Sequence, residues 1–390
     1  MPGPRRFGST PRCLMLPLHA RHVIIGSGAM GAATAYHLAR RGEPVLLLEQ
    51  FALGHDRGSS HGAARITRHS YADPHYARLM RDAFQAWKVL EADAGQNLYL
   101  RTGGVSLCPA GVDYVEKVAA SLAAIALPHR RMTGAELRQA LPVFQVADDT
   151  DVVFEPDAGM LAAARAVALQ VELARRFGGE RTRVFENCPV RAIDLDGDRP
   201  VVRTDAHRIV ADRLIVTAGA WTSRLLPQVS VPLEPTLQRV LYVRPPDALA
   251  FAPGRFPVFI VKGAPAEDDF YGMPASGGVG VKVARDGGPV VDPDSVDRTI
   301  DDDYRASVRK FLRGCLPALA DAPIDVSETC LYTMAPGDHF RLGPLADCPQ
   351  VIMASPCSGH GFKFSCLIGQ VLADLATLGQ TALDITPWIC

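Results

Sequence analysis

The hydrophobic pattern near the start of the chain consists of two short apolar runs with a helical stretch between them. Residues 22–25 form a β-branched run that ends at a glycine, and residues 44–49 are again apolar and of strand length. Residues 29–41 between them are rich in helix formers. The pattern therefore predicts a strand, a turn, a helix and a second strand.

The first half of the chain continues with two more predicted helices and a second buried strand. Apolar positions recur at helical spacing over residues 76–94, and residues 162–177 form an alanine-rich helical stretch. Residues 105–107 have the length and composition of a strand. The apolar and polar positions of residues 208–218 alternate, which predicts a second buried strand. The chain is predicted to return to its first unit at this last strand.

The second half of the chain is predicted to form a separate sheet and then to return to the first unit. Residues 232–283 are dense in Pro, Gly, Phe, Tyr and Val, which favours an antiparallel sheet outside the first unit. The final strand and helix are predicted to rejoin the first unit. The predicted elements here are strands at 239–243, 258–261 and 350–354 and helices at 304–316 and 367–378.

Composition and charge exclude several classes of function. Lys and Arg total 41 against 42 Asp and Glu, so the formal net charge of -1 offers no broad field for nucleic acid. No apolar run reaches the roughly 20 residues that span a bilayer, so no membrane segment is expected. The nine cysteines form no CxxC pair, which argues against a metal site and favours a reducing, cytoplasmic setting.

A glycine-rich turn joins the first predicted strand to the first predicted helix. Gly26, Gly28 and Gly31 have the GxGxxG spacing, and this strand-to-helix context makes the pattern a dinucleotide-binding fingerprint. The glycines permit the tight turn, the approach of a pyrophosphate and the packing of helix on strand, and Met30 lies among them. Glu49 ends the next strand, where an acid accepts hydrogen bonds from the adenosine ribose and disfavours NADP. The fingerprint alone fits NAD and FAD equally.

A small-residue stretch at positions 58–68 carries His61, Arg65 and Arg68. Two guanidinium groups three residues apart, close to a dinucleotide site, are suited to binding a carboxylate and to stabilising a reduced, anionic flavin. A solvated basic loop is the alternative reading, since surface arginines are common.

The C-terminal part of the chain holds a second group of candidates. Cys330-Leu331-Tyr332-Thr333, His339-Phe340 and Ser358-Gly359-His360-Gly361-Phe362-Lys363 precede the last predicted helix. From the residues alone, His360 and Lys363 are candidates to approach a planar ligand. A lone Cys330 is more often a buried apolar residue than a reactive one.

Taken together, these motifs resemble the monomeric sarcosine oxidase family in order and over residues 21–388. That family includes N-methyltryptophan oxidase and pipecolate oxidase, and it is similar in fold to glycine and D-amino acid oxidases. The C-terminal motifs are more specific to it than the glycine fingerprint.

The resemblance implies FAD attached through a thioether to Cys330. It implies that Arg68 and Lys363 bind the substrate carboxylate, while Arg65, with His61 beside it, sets the charge near the flavin. Gly359, His360 and Gly361 would also contact the cofactor.

The resemblance also implies the roles of three residues around the flavin. Lys282 matches a lysine that promotes the reaction with oxygen, and Tyr271 and Tyr332 match aromatic residues at the border of the substrate cavity. The histidine that sarcosine oxidases carry shortly after the lysine is absent, since the stretch is Val283-Ala284-Arg285-Asp286, and Ser355-Pro356-Cys357 replaces small apolar residues. A reshaped cavity, and a bulkier N-methyl or cyclic substrate as well as sarcosine, are therefore expected.

The expected fold is α/β, a Rossmann-like FAD-binding domain with a second α+β substrate domain built on an antiparallel sheet. The first 20 residues carry arginines but no acid, and they are expected to be a disordered extension. The FAD-binding domain is predicted over residues 21–85, 151–230 and 325–390, and the substrate domain over residues 86–150 and 231–324.

The expected function is FAD-dependent oxidation of secondary amino acids such as sarcosine and other N-methyl or cyclic amino acids. The C–N bond is oxidised to an imine while O2 is reduced to H2O2, and the partners are the amino acid and O2, with a monomer expected. Two alternatives stay open. One is a flavin amine dehydrogenase with another electron acceptor, and the other is a non-catalytic dinucleotide-binding protein.

Overall fold

The computed structural model describes residues 16–263 and 269–389. The strands in this part are β1 His19–Ile25, β2 Val45–Leu48, β3 Ala64–Thr67, β4 Tyr99–Arg101, β5 Gly104–Cys108, β6 Arg130–Thr133, β7 Asp151–Glu155, β8 Gly159–Ala162, β9 Thr182–Phe185, β10 Val190–Asp194, β11 Val201–Thr204, β12 Arg208–Val216, β13 Glu234–Val243, β14 Val258–Val261, β15 Phe270–Met273, β16 Val281–Arg285, β17 Ile324–Met334, β18 Arg341–Leu345 and β19 Cys348–Ser355. The helices are α1 Ala29–Arg40, α2 Pro74–Ala94, α3 Tyr114–Ala124, α4 Gly134–Ala140, α5 Ala163–Gly178, α6 Thr222–Leu225, α7 Asp302–Cys315 and α8 Ser365–Leu378.

A parallel sheet in the order β9, β2, β1, β12 and β19 forms the centre of the first domain. All four residues of β2 are buried, as expected for a strand covered on both faces. Helices α1, α5 and α8 pack on one face of this sheet, and α1 and α8 approach so closely that a Cβ on Gly369 would lie 2.4 Å from the Cβ of Ala33. The hairpin β10–β11 and strand β18 add antiparallel pairs at its edges.

Helix α2 packs against α5 and α8 of the first domain. Asp73 caps its first turn by accepting a hydrogen bond from the backbone N–H of His75 at 2.8 Å, and Pro74 occupies the first helical position. Gly95 ends the helix in the left-handed conformation at φ 64°. Within residues 16–263 and 269–389, no helix is long and apolar enough to cross a bilayer.

The second large sheet has the order β17, β13, β16, β15, β14, β5, β7 and β6. It is antiparallel except where β14 runs parallel to β5, and this pair joins the two halves of the sheet. Helix α7 buries Tyr304, Val308 and Leu312 in the core beneath it. The prediction of an antiparallel sheet therefore misses one parallel pair, because that pair joins strands about 150 positions apart in the printed sequence.

Several predicted boundaries differ from the sheets. Strand β1 begins at His19, where it pairs with Val210, so the predicted extension over residues 1–20 is wrong for its last two residues. Residues 1–15 lie outside the described part. The predicted FAD-binding domain includes strand β7 and almost all of β17, whereas both strands lie in the second sheet. A hydrophobic pattern indicates that a strand exists, but it does not indicate which neighbour the strand pairs with.

Candidate active site

One cavity of about 1040 Å³ extends through the first domain to the face of the second sheet. Three segments that are distant in sequence line it: the glycine loop (residues 26–31), the basic loop (residues 58–68) and the C-terminal segment (residues 355–363). Its volume is slightly above the usual range for small-molecule sites, which is roughly 300–1,000 Å³. The cavity therefore has room for a dinucleotide and a small substrate.

The glycine loop turns in a way that side chains would prevent. Gly26 has φ +94°, and a Cβ there would lie 2.6 Å from the carbonyl oxygen of Thr217. A Cβ on Gly31 would lie 1.8 Å from the carbonyl oxygen of Gly26. The Thr217 hydroxyl donates to the carbonyl of Ile25 at 2.9 Å, which fixes the adjoining strand end. Both glycines are therefore required by close backbone contacts.

The N-terminus of α1 points into the cavity with unsatisfied polar groups nearby. Gly28 is its N-cap, and the N–H of Ala29 donates to the hydroxyl of Ser60 at 2.9 Å. The Ser27 hydroxyl is buried without a hydrogen-bond partner in the described residues, and Met30 lines the same space. A helix N-terminus with an unpaired donor beside it fits the pyrophosphate of a dinucleotide.

Glu49 lies at the end of β2 with its carboxylate on the cavity wall. It accepts hydrogen bonds from the N–H groups of Ser27 at 2.7 Å and Phe51 at 3.0 Å, and His55 Nε2 is 3.3 Å away. Burial alone would raise the pKa of Glu49, but these bonds hold it below its usual value. An ionised carboxylate with remaining lone pairs therefore faces the place where an adenosine ribose binds.

Backbone carbonyls fix the guanidinium of Arg65 in the cavity wall. It donates to the carbonyl oxygens of Ala64 and Ser59, each at 2.9 Å, and to that of His61 at 2.6 Å. It also lies 5.7 Å from the centre of the Phe362 ring. These contacts leave a positive charge at a defined position beside the cavity.

His61 lies beside Arg65 as a neutral imidazole. Its Nε2 is 2.9 Å from the carbonyl oxygen of Thr329, so Nε2 carries the hydrogen. Its Nδ1 is buried, and no group in the described part of the chain bonds to it. Burial and the nearby Arg65 lower the pKa of His61, so Nδ1 is available as an acceptor.

Lys282 projects from β16 and is only 5% exposed. Its Nζ is 3.5 Å from the carbonyl oxygen of Ala64 and 5.9 Å from the centre of the Tyr242 ring. Burial, together with Arg65, lowers the pKa of Lys282 to about 7. The Tyr242 hydroxyl donates to Glu328 at 2.9 Å, and the negative charge of Glu328 acts to raise the pKa of Lys282 against these effects.

Cys330 and two tyrosines lie on the second sheet where it borders the cavity. The thiol of Cys330 is buried, which raises its pKa, while Arg65 and Lys282 act to lower it. The hydroxyls of Tyr271 and Tyr332 are 3.1 Å apart and bond to each other. The sheet therefore places a thiol and a pair of phenols along one wall.

Arg68 follows β3 and points into the cavity. Its guanidinium carbon is 4.4 Å from the centre of the Tyr71 ring. Its Nη1 is buried and lacks a hydrogen-bond partner among residues 16–263 and 269–389. A buried guanidinium with an unpaired N–H group is unfavourable unless a ligand supplies a hydrogen-bond acceptor. A carboxylate matches the geometry of the guanidinium.

Lys363 is 6% exposed and reaches the same tyrosine from the other end of the chain. Its Nζ donates to the hydroxyl of Tyr71 at 2.9 Å and to the carbonyl oxygen of His360 at 2.8 Å. An ammonium has three donors, so one is left. Burial, followed by the charge of Arg68, lowers the pKa of Lys363 well below its usual value. An anion between the two cations would reverse much of that effect.

His360 ends a short chain of hydrogen bonds that begins at Lys363. The Tyr71 hydroxyl, which accepts from Lys363, lies 3.2 Å from His360 Nδ1, and His360 Nε2 is 2.9 Å from the carbonyl oxygen of Asp338. Burial and Lys363 lower the pKa of His360 to about 3. The imidazole is therefore neutral and fixes the direction of the tyrosine hydroxyl.

The glycines on either side of His360 allow close packing. Gly359 has φ +76°, and a Cβ there would lie 2.9 Å from the Tyr332 ring. A Cβ on Gly361 would lie 1.6 Å from the carbonyl oxygen of Pro356. Trp87 of α2 donates from Nε1 to the carbonyl of Lys363 at 2.7 Å and so anchors the segment.

Tyr71 and Asp286 are among the cavity residues that were not sequence candidates. Tyr71 lies three positions after Arg68, but a lone tyrosine before a helix carries no signal that separates it from a core residue. Asp286 lines the cavity four positions after Lys282, where the sequence showed that a histidine was absent. Burial raises the pKa of Asp286, and its carboxylate is 4.0 Å from Lys262.

Comparisons with known proteins agree with this geometry. The family model described as FAD dependent oxidoreductase matches residues 21–375. The chain is 34% identical to the monomeric sarcosine oxidase of Streptomyces avermitilis over 372 residues, covering 93% of this chain and 95% of that protein. It is 30% identical to the N-methyl-L-tryptophan oxidase of Yersinia pestis over 368 residues, covering 93% and 96%.

Solved structures agree on the fold. The open form of NikD, an amino acid oxidase essential for nikkomycin biosynthesis, superposes with a TM-score of 0.83 over 96% of this chain and 98% of that one, at 22% sequence identity. The glycine loop, the N-terminus of α1 and the carboxylate of Glu49 fit the adenosine diphosphate part of FAD, and the remaining cavity has room for the flavin. The chain belongs to the FAD dependent oxidoreductase family.

Proposed function

We propose that this protein oxidises secondary amino acids with FAD and passes the electrons to O2. The observation that carries the proposal is the carboxylate clamp, by which we mean Arg68, Tyr71 and Lys363 together in the cavity that the glycine loop also lines. Arg68 and Lys363 both contact Tyr71, and both have unused hydrogen-bond donors. This arrangement suits a small anion whose reactive atoms lie at a distance from its charged group.

The clamp supplies binding and orientation. Arg68 offers a buried, unpaired Nη1, and Lys363 offers its third N–H, so a substrate carboxylate would satisfy both. A carboxylate bound there would leave the amine and the adjacent C–H bond within the cavity that Tyr271 and Tyr332 also line. Such positioning is a large part of catalysis in this kind of reaction.

FAD held by the glycine loop, the N-terminus of α1 and Glu49 would supply the two-electron redox chemistry between the C–H bond next to nitrogen and O2. The chain contributes fixed positive charge around it. Arg65 is held by three carbonyls, so its charge is in place before reaction, and Lys282, which is buried on the second sheet with a pKa of about 7, adds a second charge in its protonated form. We assign Arg65 to stabilising reduced flavin, His61 to supporting Arg65, and Lys282 to promoting the reaction with O2.

We further propose that the flavin is attached through Cys330 and that the first domain binds FAD while the second borders the substrate. Cys330 lies on β17 in the wall of the same cavity that the glycine loop lines, which supports the assignment. The substrate is an N-methyl or cyclic amino acid. No histidine follows Lys282 in the stretch that ends at Asp286, although sarcosine oxidases carry one shortly after the matching lysine, and this difference extends the candidates beyond sarcosine itself.

We also propose a cytoplasmic monomer. The cysteines of the described residues are free thiols, which supports a reducing compartment. Size-exclusion chromatography with light scattering tests the monomer, for which one chain of 41.9 kDa plus FAD is expected.

Purified protein is tested with sarcosine, N-methyl-L-tryptophan, L-proline and L-pipecolate. The proposal expects bleaching of the flavin absorbance under argon with at least one of them, and stoichiometric H2O2 under air. Bleaching without peroxide, but with reduction of an added quinone, would indicate a dehydrogenase. A flavin that stays oxidised with every compound would indicate a non-catalytic binding protein.

A further inference from the structure

Glu155, the last residue of β7, is a carboxylate buried to 2% exposure. It accepts hydrogen bonds from the N–H of His69 at 2.8 Å and 3.1 Å, from the N–H of Ser70 at 2.9 Å and from His69 Nδ1 at 2.7 Å. Burial alone would raise the pKa of Glu155, but these bonds keep it lowered. An ionised group so deep in the protein is stable only because four donor contacts surround it.

These donors belong to the turn that separates two members of the carboxylate clamp. Arg68 precedes His69, Tyr71 follows Ser70, and the N–H of Tyr71 closes the turn on the carbonyl of His69 at 2.8 Å. The imidazole of His69 also stacks on Phe84 of α2 at 4.3 Å with an interplanar angle of 10°. Glu155 therefore ties the turn to the second sheet, while Phe84 ties it to a helix of the first domain.

Glu155 acts from outside the cavity. Neither Glu155, His69 nor Ser70 lines the cavity, whereas Arg68 and Tyr71 both do. The carboxylate bonds the backbone and His69 and makes no ion pair with Arg68, so the guanidinium keeps its unpaired Nη1. The group that fixes the arginine does not compete with a ligand for it.

We propose that Glu155 is a positioning residue for the carboxylate clamp, acting through the amides of residues 69 and 70 to place Arg68 and Tyr71. The inference rests on the proposed function. Small displacements of groups that bind a substrate weaken its productive binding by about 10- to 100-fold. Loss of the negative charge of Glu155 should therefore weaken binding of the substrate carboxylate more than it slows the turnover of bound substrate.

The test compares the holoenzyme with Glu155→Gln, which keeps the shape but turns an NH2 group toward the backbone donors. Steady-state KM and kcat are measured with the best amino acid of the panel. Binding of propionate, an unreactive carboxylate, is measured by titration of the flavin spectrum. We expect KM and the propionate Kd to rise together by about 10- to 100-fold, with kcat changed by less than about threefold.

Glu91→Gln is the matched control. Glu91 also accepts two backbone N–H bonds, from Leu98 at 2.6 Å and Tyr99 at 2.8 Å, but it lies away from the cavity. The Glu91→Gln substitution should lower the melting temperature and leave the propionate Kd unchanged. Glu155→Asp, which retains the charge with a shorter reach, should fall between wild type and Glu155→Gln, and it carries the test if Glu155→Gln does not fold.

The outcomes separate the two hypotheses. A wild-type protein that oxidises no compound of the panel and does not bind propionate contradicts the proposed function. A wild-type protein that does both, with Glu155→Gln or Glu155→Asp matching it in KM and propionate Kd, contradicts the positioning role alone. A fall in kcat with unchanged propionate binding also contradicts it.

Discussion

Lys363 Nζ donates a hydrogen bond to the hydroxyl of Tyr71 at 2.9 Å, although the two residues are 292 positions apart. The same ring lies 4.4 Å from the guanidinium of Arg68. One tyrosine therefore connects the basic loop with the C-terminal segment and brings two cations to one point in the cavity.

Tyr71→Phe should weaken substrate binding while keeping the ring beneath Arg68. The hydroxyl is lost as acceptor for Lys363 and as donor to His360, and a hydrogen bond to a charged group contributes about 1.5–3 kcal/mol. KM should rise accordingly. Tyr99→Phe removes a hydroxyl that bonds to the carbonyl of Asp157 outside the cavity, so it should leave KM unchanged. Equal KM values for the two variants would argue against the role of Tyr71.

Arg68→Ala should weaken binding of the amino acid by about 2–5 kcal/mol, the usual scale for removing one partner of a buried charge pair. Isothermal or spectral titration with propionate measures this directly. Arg57→Ala is the control, because Arg57 is an exposed cation just before the basic loop that contacts Phe51 and does not line the cavity. Comparable losses in both variants would indicate a general effect of loop charge.

The reaction of the reduced enzyme with O2 should slow as the pH rises through the pKa of Lys282. That pKa is about 7 in the protein alone, and negative charge on reduced flavin would move it upward, so the decrease should begin at or above pH 7. The protonated form supplies the useful charge, which is present below the pKa and lost above it. Lys282→Met should be slow at all pH values, on the order of 100-fold.

Stopped-flow measurement of flavin reoxidation at several pH values and oxygen concentrations tests this prediction. The rate of anaerobic flavin reduction in Lys282→Met serves as an internal control and should change much less. A wild-type reoxidation rate that is flat from pH 6 to 10, or equal to that of Lys282→Met, would remove Lys282 from the oxygen reaction.

Cys330→Ser should release the flavin from the polypeptide on acid precipitation, while wild type should keep its yellow colour in the pellet. Cys357→Ser is the matched control, since Cys357 lines the same cavity and accepts a hydrogen bond from the N–H of Thr333 at 3.3 Å. It should retain the flavin. Colour lost from wild type, or from Cys357→Ser alone, would show that Cys330 is not the attachment point.

Local features of the structure could be predicted from the sequence. The glycine fingerprint encodes its own turn, because Gly26 and Gly31 have no space for a Cβ, and α1 follows from a stretch that is rich in helix formers. The site candidates on the basic loop and the C-terminal segment could be named, but from the residues alone they remained compatible with surface or core roles. The family resemblance suggested their functions.

Features that depend on pairing between distant segments could not be predicted. The hydrophobic pattern of β5 and β14 does not indicate that the two strands pair in parallel, since it does not specify a strand's neighbour. The roles of Tyr71 and Glu155 depend on contacts with residues that are 292 and 86 positions away, respectively. A buried glutamate at a strand end carries no sequence signal that separates it from a solvated one.

The most direct test of the account compares the anaerobic rate of flavin reduction by the best amino acid substrate with that by its methyl ester, in wild type and in Arg68→Ala. The account predicts that wild type reduces much faster with the free acid at low concentration, and that Arg68→Ala removes most of that preference. Equal rates for acid and ester in wild type would contradict the binding of a substrate carboxylate by Arg68 and Lys363.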